Sequence, residues 1–173
     1  MIFDKHLFIE KLTNNTRQLL EKIRTCHSNE DVIAFALYSD DSACTICSSF
    51  NTLEYLNQCQ TEDDDDCYMW CTAEWIYEDI YPVEFSTSNE YLRGCIKNVK
   101  EGHYEQFSNS IFESFVSVLE SLKEEIRAQF GANCLVLFNI SDTSRRNLLI
   151  KSNNKLNPSN VALKFQHWVE SQK

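Results

Sequence analysis

Hydrophobic spacing along the chain changes period several times, and the changes divide it into elements. Residues 4–25 repeat at helical spacing, with Phe8, Leu12, Thr16, Leu19 and Ile23 on one stripe and Lys11, Glu21 and Lys22 off it. That is the pattern of an amphipathic helix. The polar run "HSNED" ends it. "VIAFALYSD" follows, short, rich in β-formers and apolar on both alternating faces. It predicts a central strand covered on both sides. "DDS" supplies a turn and "ACTICSSF" a second strand. Asn51 with Glu54, and Thr87 with Glu90, have capping-box spacing. Each pair predicts a helix start, and the second helix runs to about Lys100 before Gly102 closes it. The clearest element spans 104–130, where Phe107, Ile111, Phe115, Leu119, Leu122, Ile126 and Phe130 make one apolar stripe ended by Gly131. "CLVLFNISD" and "RNLLIKSN" read as a second strand pair. Asn157 and Pro158 then open a last helix whose inner face holds Val161, Phe165 and Trp168, with proline at the first helical position.

The resulting order is α-ββ-ααα-ββ-α. The expected fold is α+β: a mainly antiparallel four-stranded sheet built from two hairpins and packed by several helices, with the 104–130 helix as main buttress. The chain also echoes itself. Ser39, Asp40, Ser42 and Asn51 recur in spacing as Ser141, Asp142, Ser144 and Asn153. The echo reads as a duplicated hairpin, or as two turns that use the same residue types for the same reason.

At 173 residues the chain predicts one domain, 1–173, with about 70% of its unfolded surface buried. Three glycines and two prolines leave no material for a flexible linker. The net charge of -10 argues against nucleic acid as the main partner, since such binding is dominated by Lys and Arg on phosphates. It suits a basic protein partner reached by electrostatic steering, or solubility alone. No apolar run reaches the roughly 18 residues that span a bilayer, and "MIFDKHLFIEKL" lacks the features of a secretory signal. The expectation is a cytoplasmic protein with no membrane partner.

Eight cysteines in a reducing compartment do not imply disulfides. "CTIC", Cys44 to Cys47, has thioredoxin-like spacing but lies in an expected strand rather than at a helix start,. Cys59, Cys67 and Cys71 lack the fourth ligand of a closed zinc site, so no metal and no cofactor is expected. Gly94, Gly102 and Gly131 are the only glycines, which rules out a phosphate-cradling loop. His6, His27, His103 and His167 are scattered near helix ends and read as satisfied surface groups.

The remaining candidate is "DDDDCYMWCTAEWIYEDIYPVE", Asp63 to Glu84. If 70–79 is helical, Trp70, Glu74 and Glu78 stack at i, i+4, i+8, with Trp75 and Asp79 on a neighbouring face. Two carboxylates beside an indole could act as acid and base. They could equally be a solvated face over core tryptophans. Asp63, Asp64, Asp65 and Asp66 form an acid run that a following helix dipole would favour. The candidate binding residues are therefore Trp70, Glu74, Trp75, Glu78, Asp79 and Asp63 to Asp66, with no catalytic residue assigned.

At these residues the chain resembles a known family. "FALYSDD", a strand ending in "NT" before a helix, a Trp-x-x-x-Glu-Trp spacing, a late "VLFNISD" strand and "LNP" are similar to a bacterial family called domain of unknown function 4303 (DUF4303). The resemblance implies no established activity and no catalytic residues. Some small acidic bacterial families of this kind look like immunity proteins that block a partner toxin, an analogy of fold and context rather than of site. The many cysteines and "DDDD" depart from the family pattern. The expected function is a protein-binding module, in its specific form an immunity-type inhibitor of a bacterial toxin. The alternative is an enzyme with a carboxylate and tryptophan cleft around Glu74 and Glu78.

Overall fold

The computed structural model describes residues 2–59 and 66–172. Helix α1, Lys5–Cys26, starts where Asp4 accepts from the His6 and Leu7 amides at 3.0 and 3.1 Å. That is an N-cap one residue before the helix. Strands β1, Val32–Asp40, and β2, Cys47–Thr52, pair antiparallel. Helices α2, Leu53–Cys59, and α3, Cys67–Trp70, come next. A 3-10 turn at Thr72–Glu74 and another at Pro82–Phe85 lead into α4, Ser86–Ile96. Helix α5, Tyr104–Phe130, is followed by β3, Leu135–Ser141, then α6, Arg146–Leu156, and α7, Ser159–Ser171.

The α+β class holds, but the four-stranded antiparallel sheet does not. The sheet has three strands in the order β2-β1-β3, with β1 antiparallel to β2 and parallel to β3. "RNLLIKSN" is the start of α6, not a strand. Its Leu149, Ser152, Asn153 and Leu156 are buried on one face at the i, i+3, i+4, i+7 spacing of a helix. The place of a fourth strand is filled by two side chains. Asn153 Oδ1 accepts from the Phe138 amide at 2.9 Å, and its Nδ2 donates to the Phe138 carbonyl at 2.9 Å. Asn157 treats Val136 the same way, at 3.1 and 2.7 Å. Two carboxamides one helical turn apart thus satisfy two alternate residues of the outer edge of β3. This also explains why Asn157 does not cap α7, whose cap position is taken by Pro158.

The echo is not a duplicated hairpin. Its first copy turns back as β2, whereas its second leads into α6. Thr87 does not close a capping box either, since its hydroxyl bonds Asn15 at 3.4 Å. Cys44 lies in the loop before β2.

As its unbroken apolar pattern predicts, β1 is central and almost wholly buried. One face of the sheet meets α5, where Phe138 packs against Phe112 and Phe115 at 5.9 and 5.8 Å between ring centroids. Successive strand residues point to opposite faces. Asn139, next to Phe138, donates to Thr72 at 3.1 Å. The segment after α3 therefore covers the other face.

Candidate functional site

Asp63, Asp64 and Asp65 lie outside the described residues. From Asp66 onward the chain forms no 70–79 helix, so Trp70, Glu74 and Glu78 do not stack on one face. After α3, Cys71 is extended, and after the 3-10 turn Trp75 is extended as well. The chain then docks along the free edge of β2. Phe50 N–H donates to the Tyr77 carbonyl at 3.2 Å, and Ile80 N–H donates to the Ser48 carbonyl at 3.1 Å. The Ser48 hydroxyl donates to the Ile80 carbonyl at 2.9 Å. Both outer edges of the sheet are therefore covered among the described residues. Covering an edge is how a sheet avoids pairing with a foreign strand. Burial alternates here as along a strand: Trp75 is buried and Tyr77 half-buried, while Ile76 and Glu78 are exposed.

The indoles turn inward. Trp70 and Trp75 are 4% and 3% exposed, and Trp70 meets Phe165 of α7 edge to face at 5.7 Å. Neither indole N–H has a hydrogen-bond partner among the described residues, so their contribution is apolar area. The carboxylates turn outward: Glu74, Glu78 and Asp79 are exposed. Glu78 accepts from the Tyr38 hydroxyl at 3.1 Å. Burial pushes the Cys47 thiol up to about 12, reinforced by the Asp79 charge and the thiol's bond to that carboxylate. Burial also raises Tyr38, with Cys47 and Glu78 adding to the effect. Glu74 and Glu78 line none of five surface cavities of 230 to 610 Å³ formed by the described residues.

The most developed polar cluster centres on His27, which is not the scattered surface group its sequence position suggests. Its Nδ1 lies 2.7 Å from Glu30 Oε1 and its Nε2 lies 2.9 Å from the Tyr81 hydroxyl. The Tyr77 hydroxyl donates to the same Glu30 oxygen at 2.8 Å. The imidazole stands edge-on to Phe50 and Tyr77, with centroids 5.0 and 4.6 Å away. Lys22 lies 4.4 Å from the Tyr81 ring centroid and pairs with Glu84 at 2.7 Å. Both ring nitrogens are thus engaged, one by the Glu30 carboxylate and one by the Tyr81 hydroxyl, with donor and acceptor roles set by the tautomer,. A base oriented by a carboxylate can serve acid–base chemistry. Here burial raises both phenols, Tyr77 to about 12 and Tyr81 upward, so neither supplies a phenolate at neutral pH. The cluster is a clasp that ties the end of the acidic segment to α1. His27 and Glu30 were visible in "HSNED" as neighbours one turn apart. Tyr77 and Tyr81 lie about fifty positions away and gave no local signal.

Among the described residues no group of His, Cys, Asp or Glu is arranged to hold a metal ion. Among the described residues no cysteine forms a disulfide, and Cys59, Cys67 and Cys71 are partly exposed. No described helix is long and apolar enough to cross a membrane.

Fold and site together define an α+β domain whose acidic, aromatic segment covers one sheet face and one sheet edge. Residues 12–158 match the family model described as "Domain of unknown function (DUF4303)", and the chain belongs to that family. No curated protein and no solved structure matches it.

Proposed function

We propose that the chain is a protein-binding module that meets a basic partner through the outer side of residues 74–84. The observation that supports this reading is how the segment divides. Its tryptophans anchor it to the core, while Glu74, Glu78 and Asp79 face solvent beside Ile76 and Val83, which are 44% and 65% exposed. Exposed apolar groups among carboxylates on a clamped segment suit a partner that brings basic charge and a small apolar contact. Trp70 and Trp75 position this surface rather than touch the partner. In its specific form the proposal is an immunity-type inhibitor acting in a bacterial cytoplasm on a cationic toxin.

The test uses the product of the reading frame beside this gene. Binding is followed by stopped flow across a salt series, with the wild-type chain and a Glu74→Gln, Glu78→Gln, Asp79→Asn variant. The expected result is slower association and a flatter salt dependence in the variant, with dissociation much less changed. Equal association rates and salt slopes for the two proteins would remove the acidic segment from the reading.

A further inference from the structure

A second surface feature stands apart from the acidic segment. Between the N-terminal arm, the end of α4 and the start of α5 lies a cavity of 490 Å³. Its apolar lining includes Phe3, Cys95, Val99 and Phe107. Phe3 and Phe107 meet edge to face at 5.4 Å, and burial raises the Cys95 thiol above its ordinary value. Lys100 and His103 line the same cavity, and no carboxylate does. The cavities along α6, beside His27 and at Gly102 each contain at least one acid. A fifth cavity, lined by Ile33, Leu56, Trp70 and Lys164 among others, is acid-free too but has one basic side chain; on a chain of net charge -10 the cavity at Phe3 and Phe107 joins an apolar lining to both a lysine and a histidine.

Neither Lys100 nor His103 has an ion-pair partner among the described residues. His103 Nδ1 lies 3.2 Å from the Glu101 carbonyl. The volume falls in the range of small-molecule sites, about 300–1,000 Å³. We propose that this cavity binds a small amphipathic carboxylate, its apolar tail on Phe3, Val99 and Phe107 and its carboxylate at Lys100 and His103. A tail with no charge leaves the Lys100 ammonium unanswered, and a tail bearing an amine meets repulsion from it.

The full chain is titrated with octanoate, octanol and octylamine, followed by backbone amide NMR. The expected result is saturable octanoate shifts centred on Val99, Lys100, His103 and Phe107, with octanol about tenfold weaker and octylamine not saturating. Lys100→Glu, whose side chain is exposed, should keep the remaining spectrum and weaken octanoate by about tenfold. Val99→Asp, which sets a carboxylate in the lining, should do the same. The proposal is overturned by no saturation below about 10 mM octanoate, by octanol binding as well as octanoate, by wild-type affinity in Lys100→Glu, or by shifts centred elsewhere.

Discussion

Trp75 is 3% exposed, so Trp75→Ala should cost roughly 3–5 kcal/mol, the range for deleting a buried aromatic. Urea denaturation measures it. Because its indole N–H has no partner among the described residues, Trp75→Phe gives up volume but no hydrogen bond, and should cost less than half as much. Similar losses for the two variants would mean that the N–H has a partner in solution. The cysteines divide on the same grounds. Burial, aided at Cys47 by Asp79, holds Cys47 and Cys134 at about 12, far above neutrality. At pH 8 both stay as thiols, the unreactive form. Alkylation of the folded protein read by mass spectrometry should label exposed Cys26 well before Cys47 or Cys134, and denaturant should abolish the difference.

Helices with an uninterrupted apolar stripe were legible in the sequence, because burial on one face is enough to specify them. Helix α5 and the heart of α1 fall where their spacing places them. The third sheet neighbour was not legible. "RNLLI" carries three adjacent apolar residues, which strand and helix accommodate equally, and periodicity alone does not decide between them. What decides is the Asn153 and Asn157 pair, whose amides fill the edge of β3, a contact between elements that no local pattern announces. Likewise the 70–79 stretch has helical carboxylate spacing, and its pairing with β2 overrides it. Asn153→Ala leaves the buried N–H and C=O of Phe138 without partners. At about 1–3 kcal/mol for a buried group left unsatisfied, the loss should reach at least about 2 kcal/mol. Hydrogen exchange should show the Phe138 amide losing protection first. An unchanged Phe138 exchange rate would show that the edge is held by something other than the side chain. The opened edge is also a template for strand pairing, so the variant should aggregate sooner on heating.

With a net charge of -10 the folded molecule repels itself, and compact states weaken under such repulsion. Two aspartates work against that trend where β1 ends. Asp40 feels burial, which raises it, but bonds from Ser42, Thr45 and the Cys44 amide outweigh burial and lower it overall. Asp41 is lowered chiefly by the Thr143 hydroxyl, at 2.7 Å, and by Arg145, at 3.0 Å. It thereby links the end of β1 to the loop that leads from β3 into α6. A carboxyl with a depressed folded pKa contributes stability that is fully present above its unfolded value, near 3.9 for aspartate. That contribution is lost as pH falls through the lower folded value. The melting temperature should therefore hold or rise slightly between pH 7 and about 5, as protonation relieves repulsion, and then fall below about pH 4. Asp41→Asn removes both a charge and the Arg145 pair, so it should melt below wild type at pH 7. The gap should close near pH 3, where the wild-type carboxyl is itself becoming protonated. Thermal melts of the two proteins across that range decide the matter. A gap that persists undiminished at pH 3 would mean that Asp41 acts through shape rather than charge. A wild-type melting temperature that drops steadily from pH 7 to 5 would place the sensitive groups elsewhere.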